Sequence, residues 1–338
     1  MTRDGARLRI LLAMPEGTRD LLFTEELRAR LLRCADVDLD RPVTDVTACG
    51  TAELADVEVL LTGWGAPRLD LTAVDRMPQL RAVVHAAGSI RPFMDAAVVE
   101  RGILVSTAAH ANAIPVAEFT VAAIVFATKR VGIFAHHLRT AQTLGRQETE
   151  ALRIGTYGAT VGLVGASRVG RAVATMLRAV DVHVLLSDPY ASAADASELG
   201  VELVPLDELV RRSDVVSIHA PELPETRHLI DASRLAAMRD GGTLINTARG
   251  SLVDTEALVP EVISGRLHAV LDVTDPEPLP AGHPLLHLPN VLVTPHVAGS
   301  LGTEMHRLGE HAVAEVERLA AGSPLAHPLR AADLLHGA

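Results

Sequence analysis

Three short segments each follow an apolar, strand-like run and carry polar groups able to do chemistry: 246–254 (NTARGSLVD), 271–278 (LDVTDPEP) and 294–299 (TPHVAG). They hold a guanidinium (Arg249), two carboxylates (Asp272 and Glu277) and an imidazole (His296). Arginine presents a planar fork of donors that matches a carboxylate. A carboxylate beside a histidine favours imidazolium, a proton donor that works near neutrality. A cation for a carboxylate, a proton donor and a fixed hydride source are the needs of 2-oxo acid reduction. Taken singly, each residue has an ordinary reading. Arg249 would be a surface or ion-pair residue, Glu277 a solvated loop acid, and His296 one structural histidine among 15. Their order on consecutive strand ends, behind a cofactor turn, carries the functional reading.

That turn is segment 162–170 (GLVGASRVG), set between an apolar strand pattern and an alanine-rich helix pattern over 171–180. Backbone N–H groups of such a turn and the positive end of the helix behind it bind a pyrophosphate. The turn spans Gly165, Ser167, Arg168, Val169 and Gly170, and Asp188 closes the next strand 23 residues after Gly165. An acid at that place accepts ribose hydroxyls and repels a 2′-phosphate, so the cofactor expected is NAD. One departure stands out. Ser167 occupies the middle glycine position of the G-x-G-x-x-G pattern, where it either crowds the pyrophosphate or donates its hydroxyl to it.

The elements that must position these residues are legible as periodicity. Short apolar runs near residues 8–14, 57–63, 80–85 and 103–106 alternate with helical patterns. A second alternation begins at 160 and continues through 182–188, 215–219, 243–247, 269–273 and 291–296. This is the pattern of parallel sheets with crossover helices, in which ligands bind at the carboxyl ends of the strands. Segment 115–140 reads as one long helix with Pro115 at its start, followed by a polar loop or arm over 142–156. A C-terminal helix is expected over 305–321.

Composition bounds the class. The 338 residues suit two domains, 48% are hydrophobic and 2% aromatic, so Ala, Val and Leu must build the core. A net charge of −11 and a pI near 5.7 argue against a nucleic-acid or anionic membrane surface. Cys34 and Cys49 have no metal-type spacing, and with no signal peptide pattern they point to a reducing cytoplasmic setting. No apolar run reads as a membrane span; the best candidate, 119–134, is interrupted by Lys129 and Arg130 and is expected to be a buried helix. The histidine pairs His136/His137, His283/His287 and His306/His311 lack supporting ligands in motif spacing, so no metal is expected.

From residue 80 to 304 the chain resembles the D-isomer-specific 2-hydroxyacid dehydrogenases, which include glyoxylate/hydroxypyruvate reductases, D-lactate dehydrogenases and phosphoglycerate dehydrogenases. The three segments above match that family's order and spacing. The resemblance implies an α/β fold of two domains with the active site in their cleft. One is a Rossmann-type, doubly wound NAD-binding domain over 111–299, with a dimerisation arm near 118–156. The other is a flavodoxin-like substrate domain formed by 1–110 and 300–338.

In this resemblance Arg249 holds the substrate carboxylate and polarises the 2-carbonyl, and His296 is the acid and base. Glu277 hydrogen-bonds His296, and Asp272 contacts the nicotinamide amide. Thr247, Ala248 and Gly299 lie along the cofactor, as do Ala220, Pro221 and Thr226 of the segment HAPELPET. On the substrate side Ala87 and Gly88 supply backbone N–H groups. Arg91 stands where the family has an acidic-asparagine pattern, and it either meets a second acidic group or faces solvent. Trp64 either lines the cleft or is buried packing. The partners implied are a small 2-oxo or 2-hydroxy acid and a second copy of the chain. Glu277 argues against the formate-oxidising relatives, which carry glutamine. An NAD-sensing corepressor, a phosphite oxidiser and a specialised biosynthetic dehydrogenase share the triad and stay open alternatives.

Overall fold

The computed structural model describes residues 7–141 and 154–329. In chain order, the first sheet takes β1 (Leu8–Ala13), β2 (Ala35–Asp36), β3 (Val59–Thr62), β4 (Ala82–His85) and β5 (Leu104–Thr107). Between them run α1 (Glu16–Leu22), α2 (Glu25–Cys34), α3 (Thr51–Leu54), α4 (Leu71–Asp75) and α5 (Ala96–Glu100). Then come α6 (Ala109–Thr128) and α7 (Val131–Ala141). The second sheet takes β6 (Ala159–Val164), β7 (Val182–Ser187), β8 (Glu202–Leu203), β9 (Val215–Ile218), β10 (Thr243–Asn246), β11 (His268–Leu271) and β12 (Val291–Val293). Its helices are α8 (Arg168–Leu177), α9 (Ala193–Leu199), α10 (Leu206–Arg212), α11 (Ala232–Ala237) and α12 (Thr255–Ile263), and α13 (Met305–Ala320) follows.

The chain divides into two compact units: Met1–Asn112 with Ser300–Ala338, and Ala113–Gly299. In the first, the strand order is β2-β1-β3-β4-β5, all parallel, the flavodoxin-like arrangement. Alternation along β1 sends Leu8, Ile10 and Leu12 to one core and Leu11 and Ala13 to the other. The first core is closed by α13, whose Leu308, Ala312, Val313 and Val316 are fully buried. The far edge of the sheet is covered too: Leu329 donates its N–H to Val105 O, and Pro328 bridges Ser106 in antiparallel fashion. An open parallel edge would leave those backbone groups unpaired.

In the second unit the order is β12-β11-β10-β9-β6-β7-β8, again all parallel. This is the doubly wound Rossmann arrangement, and the strand order reverses between β6 and β9. Aliphatic side chains fill both faces, Val161, Leu163 and Val215 on one and Leu209, Val216, Leu244 and Leu258 on the other. Gly162 lets α10 lie against β6, since a Cβ there would sit 2.3 Å from Leu209 Cδ2.

The long helix expected over 115–140 is two helices. α6 starts six residues before Pro115, which lies inside it, and the chain turns at Arg130, whose φ is 55°. Arg130 is held there by hydrogen bonds from its guanidinium to Gly241 O and Thr243 Oγ1. Because α6 ends before Lys129 and Arg130, it is long and apolar enough by length and composition to cross a membrane, which corrects the sequence expectation. Its buried Ala117 and Ile124 lie in a core cluster with Val161 and Leu163 of β6. Of the expected arm over 118–156, residues 142–153 lie outside the described residues.

Gly309 tests how α13 is docked. A Cβ there would stand 2.0 Å from Leu22 O, a backbone atom that cannot swing away. At an exposed helix site Gly→Ala stabilises by up to ~1 kcal/mol. Here overpacking reverses the sign, and Gly309→Ala is expected to lower unfolding free energy by about 1–3 kcal/mol in urea titrations. A stabilised variant would refute this packing.

Candidate active site

Parallel pairing sets the carboxyl ends of five strands in one row. Val164 pairs with Ile218, Ile218 with Asn246, Asn246 with Leu271, and Leu271 with Val293. The next residue on each strand is therefore Gly165, His219, Thr247, Asp272 or Thr294, and the candidate site residues of this unit are strung along that line.

At the switch point, Gly165 adopts φ 105°, and a Cβ on it would meet Ala220 N at 2.7 Å. A Cβ on Gly170 would meet Gly165 O at 2.1 Å, so α8 starts hard against the turn. Ser167 is the N-cap of α8, its Oγ accepting the Gly170 N–H at 3.3 Å. The hydroxyl thus takes up one of the N–H groups a helix start leaves unpaired. Arg168 and Val169 form the first turn of α8 behind this cap. Asp188 accepts the Ala166 N–H on one oxygen and the Tyr190 N–H on the other, both at 2.7 Å. It therefore ties the glycine-rich turn to the end of β7.

The 219–226 loop is held from within. The Thr226 hydroxyl donates to Pro221 O at 2.7 Å and accepts from Leu223 N at 2.8 Å. Thr226, expected along the cofactor, closes this loop with its hydroxyl. Ala220 is 9% exposed and lies over Gly165. His219 is buried beneath it, one ring nitrogen 3.0 Å from Ser217 Oγ and the other without a partner among the described residues.

After β10, buried Asn246 shapes the turn that presents Arg249: its amide donates to Arg249 O at 2.7 Å and its oxygen accepts the Ala248 N–H at 3.0 Å. The Thr247 hydroxyl meets that of Thr120 at 2.9 Å, anchoring the turn to α6. Arg249 itself is exposed, with Nη1 donating to Ala248 O. After β11, Asp272 is 2% exposed and accepts three hydrogen bonds: Thr294 Oγ1 at 2.6 Å, Val297 N at 2.8 Å and Ala298 N at 2.9 Å. With Asp272 O accepting the His296 N–H, this carboxylate organises the whole turn 294–298. Asp272 and Thr294 bend the backbone at His296 to φ 57°, and Gly299 ends the unit.

The turn delivers the imidazole to Glu277. His296 Nδ1 lies 2.8 Å from Glu277 Oε1, with both side chains about half exposed (52% and 43%). A carboxylate on Nδ1 fixes the tautomer or the imidazolium and leaves Nε2 for proton transfer. The glycine-rich turn with the helix start behind it, and Asp188 at the end of β7, are a set of groups that fits a dinucleotide; Gly165 and Gly170 are required by close backbone packing within the turn.

A family model described as D-isomer specific 2-hydroxyacid dehydrogenase, NAD binding domain, matches residues 121–298. The chain belongs to this family. A glyoxylate reductase of Thermofilum pendens is 36% identical over 248 residues, covering 72% of this chain and 73% of that protein. A D-3-phosphoglycerate dehydrogenase of Mycobacterium leprae is 36% identical over 270 residues, 80% of this chain but 50% of its own length. The chain thus spans about half the length of the phosphoglycerate dehydrogenases it matches. Among solved structures, a D-lactate dehydrogenase of Aquifex aeolicus, complexed with NAD and lactic acid, superimposes with a TM-score of 0.69 at 27% identity, covering 93% of this chain and 96% of that one. Residues 121–298, nearly all of the second unit, match the family's NAD-binding domain.

The four substrate-side residues all lie in the first unit, beyond the carboxyl ends of β3 and β4. Trp64 is 41% exposed, which disposes of a buried packing role, while its backbone carbonyl accepts from Thr18 Oγ1. Ala87 is fully buried, Gly88 is partly so with Asn112 3.5 Å from where a Cβ would stand, and Arg91 is exposed. Beneath them His85 is buried, with Nδ1 2.8 Å from Thr62 Oγ1. Sequence reasoning missed Asn246, Thr294 and Thr120. A polar residue closing an otherwise apolar strand was the available signal for the first two, and Thr120 left none. Among the described residues no three His, Cys, Asp or Glu side chains converge as metal ligands.

Two expectations follow. Asp272→Asn places an NH2 group against backbone donors, so it should destabilise the protein by about 1–3 kcal/mol and lower turnover, read by denaturant titration and NADH oxidation. Unchanged stability would show that the carboxylate does not hold the turn. Burial pushes His85 and His219 each down to about 3. The unfolded chain then takes up protons that the native state cannot. The resulting stability is fully present above about pH 6.5 and is lost as pH falls from there toward about 3. Unfolding midpoints in urea should drop between pH 7 and pH 5, and drop less in a His85→Gln/His219→Gln variant; equal slopes would refute the assignment.

Proposed function

We propose that the protein reduces small 2-oxo acids to D-2-hydroxy acids with NADH, and oxidises them in reverse. The observation that carries this reading is the 2.8 Å contact between His296 Nδ1 and Glu277, presented on the same sheet edge as Arg249 and the dinucleotide turn. When bound, the nicotinamide supplies or accepts the hydride. Arg249 binds the substrate carboxylate through its planar fork and draws charge from the 2-carbonyl oxygen. His296, oriented through Nδ1 by Glu277, gives a proton from Nε2 to that oxygen and recovers it in the oxidising direction. Asp272 orients the turn that carries His296. Asp188 favours NAD over its 2′-phosphorylated form by charge repulsion.

Relatives named as reductases and dehydrogenases support this reading over a cofactor-sensing protein, and because a sensor can carry the same triad, turnover of a 2-oxo acid is what separates the two. A homodimer built on α6 and α7 belongs to the same proposal. Exposed Phe126 (61%) and Leu138 (54%) on these helices support it, and a monomeric mass in solution would refute it.

The test is NADH oxidation against glyoxylate, hydroxypyruvate, pyruvate, phenylpyruvate and 2-oxoglutarate. His296→Ala is expected to lose about 10²- to 10⁴-fold in kcat with NADH binding retained. No turnover of any of these acids by the parent protein, with NADH bound, would overturn the dehydrogenase reading.

A further inference from the structure

Glu277 sits on a loop, and an acid–base pair needs its carboxylate placed to a fraction of an ångström. Three contacts outside the triad hold that loop. Gly250, next to Arg249, lies directly on the 274–275 peptide: a Cβ there would stand 2.0 Å from Thr274 O and 2.7 Å from Asp275 N. Within the loop, the Thr274 hydroxyl donates to Pro276 O at 2.8 Å. From the other side, Arg227 Nη2 reaches Asp275 Oδ2 at 3.3 Å.

Arg227 does not come from an independent part of the fold. It follows the cofactor-side loop, and the chain on either side of it is stitched to the Arg249 segment. His228 N donates to Ser251 O at 2.8 Å, Ile230 N to Leu252 O at 2.9 Å, and Asp254 N to Ile230 O at 3.0 Å. Ser251 Oγ donates to Glu222 Oε1 at 2.5 Å. Segments 222–230, 249–254 and 274–278 are thus one bracket, with Arg249 on its middle member and Glu277 on its last.

We propose that Arg227 is a positioning residue for Glu277, acting through Asp275 to hold the 274–278 loop so that the carboxylate meets His296. This rests on the dehydrogenase reading for its kinetic consequence. An ion pair exposed by 60% and 38% adds little to global stability. Its effect is local: Asp275 is two residues from Glu277, and small play in the loop moves the carboxylate off Nδ1. Gly250 sets how closely the loop approaches, and Arg227 sets how firmly it is held.

The experiment compares Arg227→Gln, Arg227→Lys, Asp275→Asn and the charge-swapped double variant Arg227→Asp/Asp275→Arg with the parent chain. Two readouts are taken: steady-state kinetics with the best 2-oxo acid, and amide hydrogen exchange of the peptide spanning 272–278. Arg227→Gln and Asp275→Asn are expected to lower kcat about three- to fivefold, the range an exposed pair can supply, with the KM for the oxo acid and the Kd for NADH within about twofold. Exchange over 272–278 should accelerate in both. Arg227→Lys and the charge swap should restore both readouts in large part.

Unchanged kcat and exchange in Arg227→Gln would overturn the proposal, as would a loss confined to the Kd for NADH, which would make Arg227 a cofactor ligand. If the parent chain turns over no 2-oxo acid, the dehydrogenase reading fails, and exchange alone decides whether Arg227 holds the loop.

Discussion

A parallel strand ends with backbone groups that its neighbours no longer pair, and whatever residue comes next must turn the chain without leaving those groups stranded. Five strands of the second sheet end in a single row, from Val164 to Val293. Everything functional in that unit depends on how the five turns are satisfied. In four of the five the answer is a short polar side chain bonded to backbone: Asp188 to Ala166 and Tyr190, Thr226 to Pro221 and Leu223, Asn246 to Ala248 and Arg249, Asp272 to Val297 and Ala298. Buried carboxylates and amides cost free energy unless paired in this way.

The same pairing divides labour between groups that hold and groups left exposed on the turns. Asp272 and Asn246 are buried and saturated with backbone partners, while Arg249, Glu277 and His296 stand exposed on the turns those residues shape. An exposed imidazole on a loop would wander. Here its backbone is fixed by the bond from His296 N to Asp272 O and its ring by Glu277. Close backbone approach does the remaining work: Gly250 against Thr274 and Gly170 against Gly165 bring neighbouring turns nearer than any side chain would permit.

Much of this was readable in the chain. Alternating apolar runs gave the strands and their order of use, because a buried parallel strand must be apolar on both faces. Ser167, Asp188, Arg249, Asp272, Glu277 and His296 all stood out as polar residues at the ends of such runs. What misled was local: the helical pattern over 115–140 continues through Arg130, yet the chain turns there because the guanidinium finds Gly241 and Thr243, more than a hundred residues away. Nor does anything in the sequence show that the Thr226 hydroxyl bonds to Pro221 O and closes its own loop.

By itself, the sequence determined the fold class and the NAD-type turn and singled out the residues proposed as a triad, since hydrophobic period and residue chemistry are local properties that survive without coordinates. Only the tertiary structure decided that Glu277 meets His296, that Asp272 organises the turn beneath them, and that Gly250 and Arg227 grip the Glu277 loop. Those contacts join residues separated by 19 to 48 positions, and their distances are set by strand register and by which backbones touch. Neither quantity is written in any one stretch of the chain.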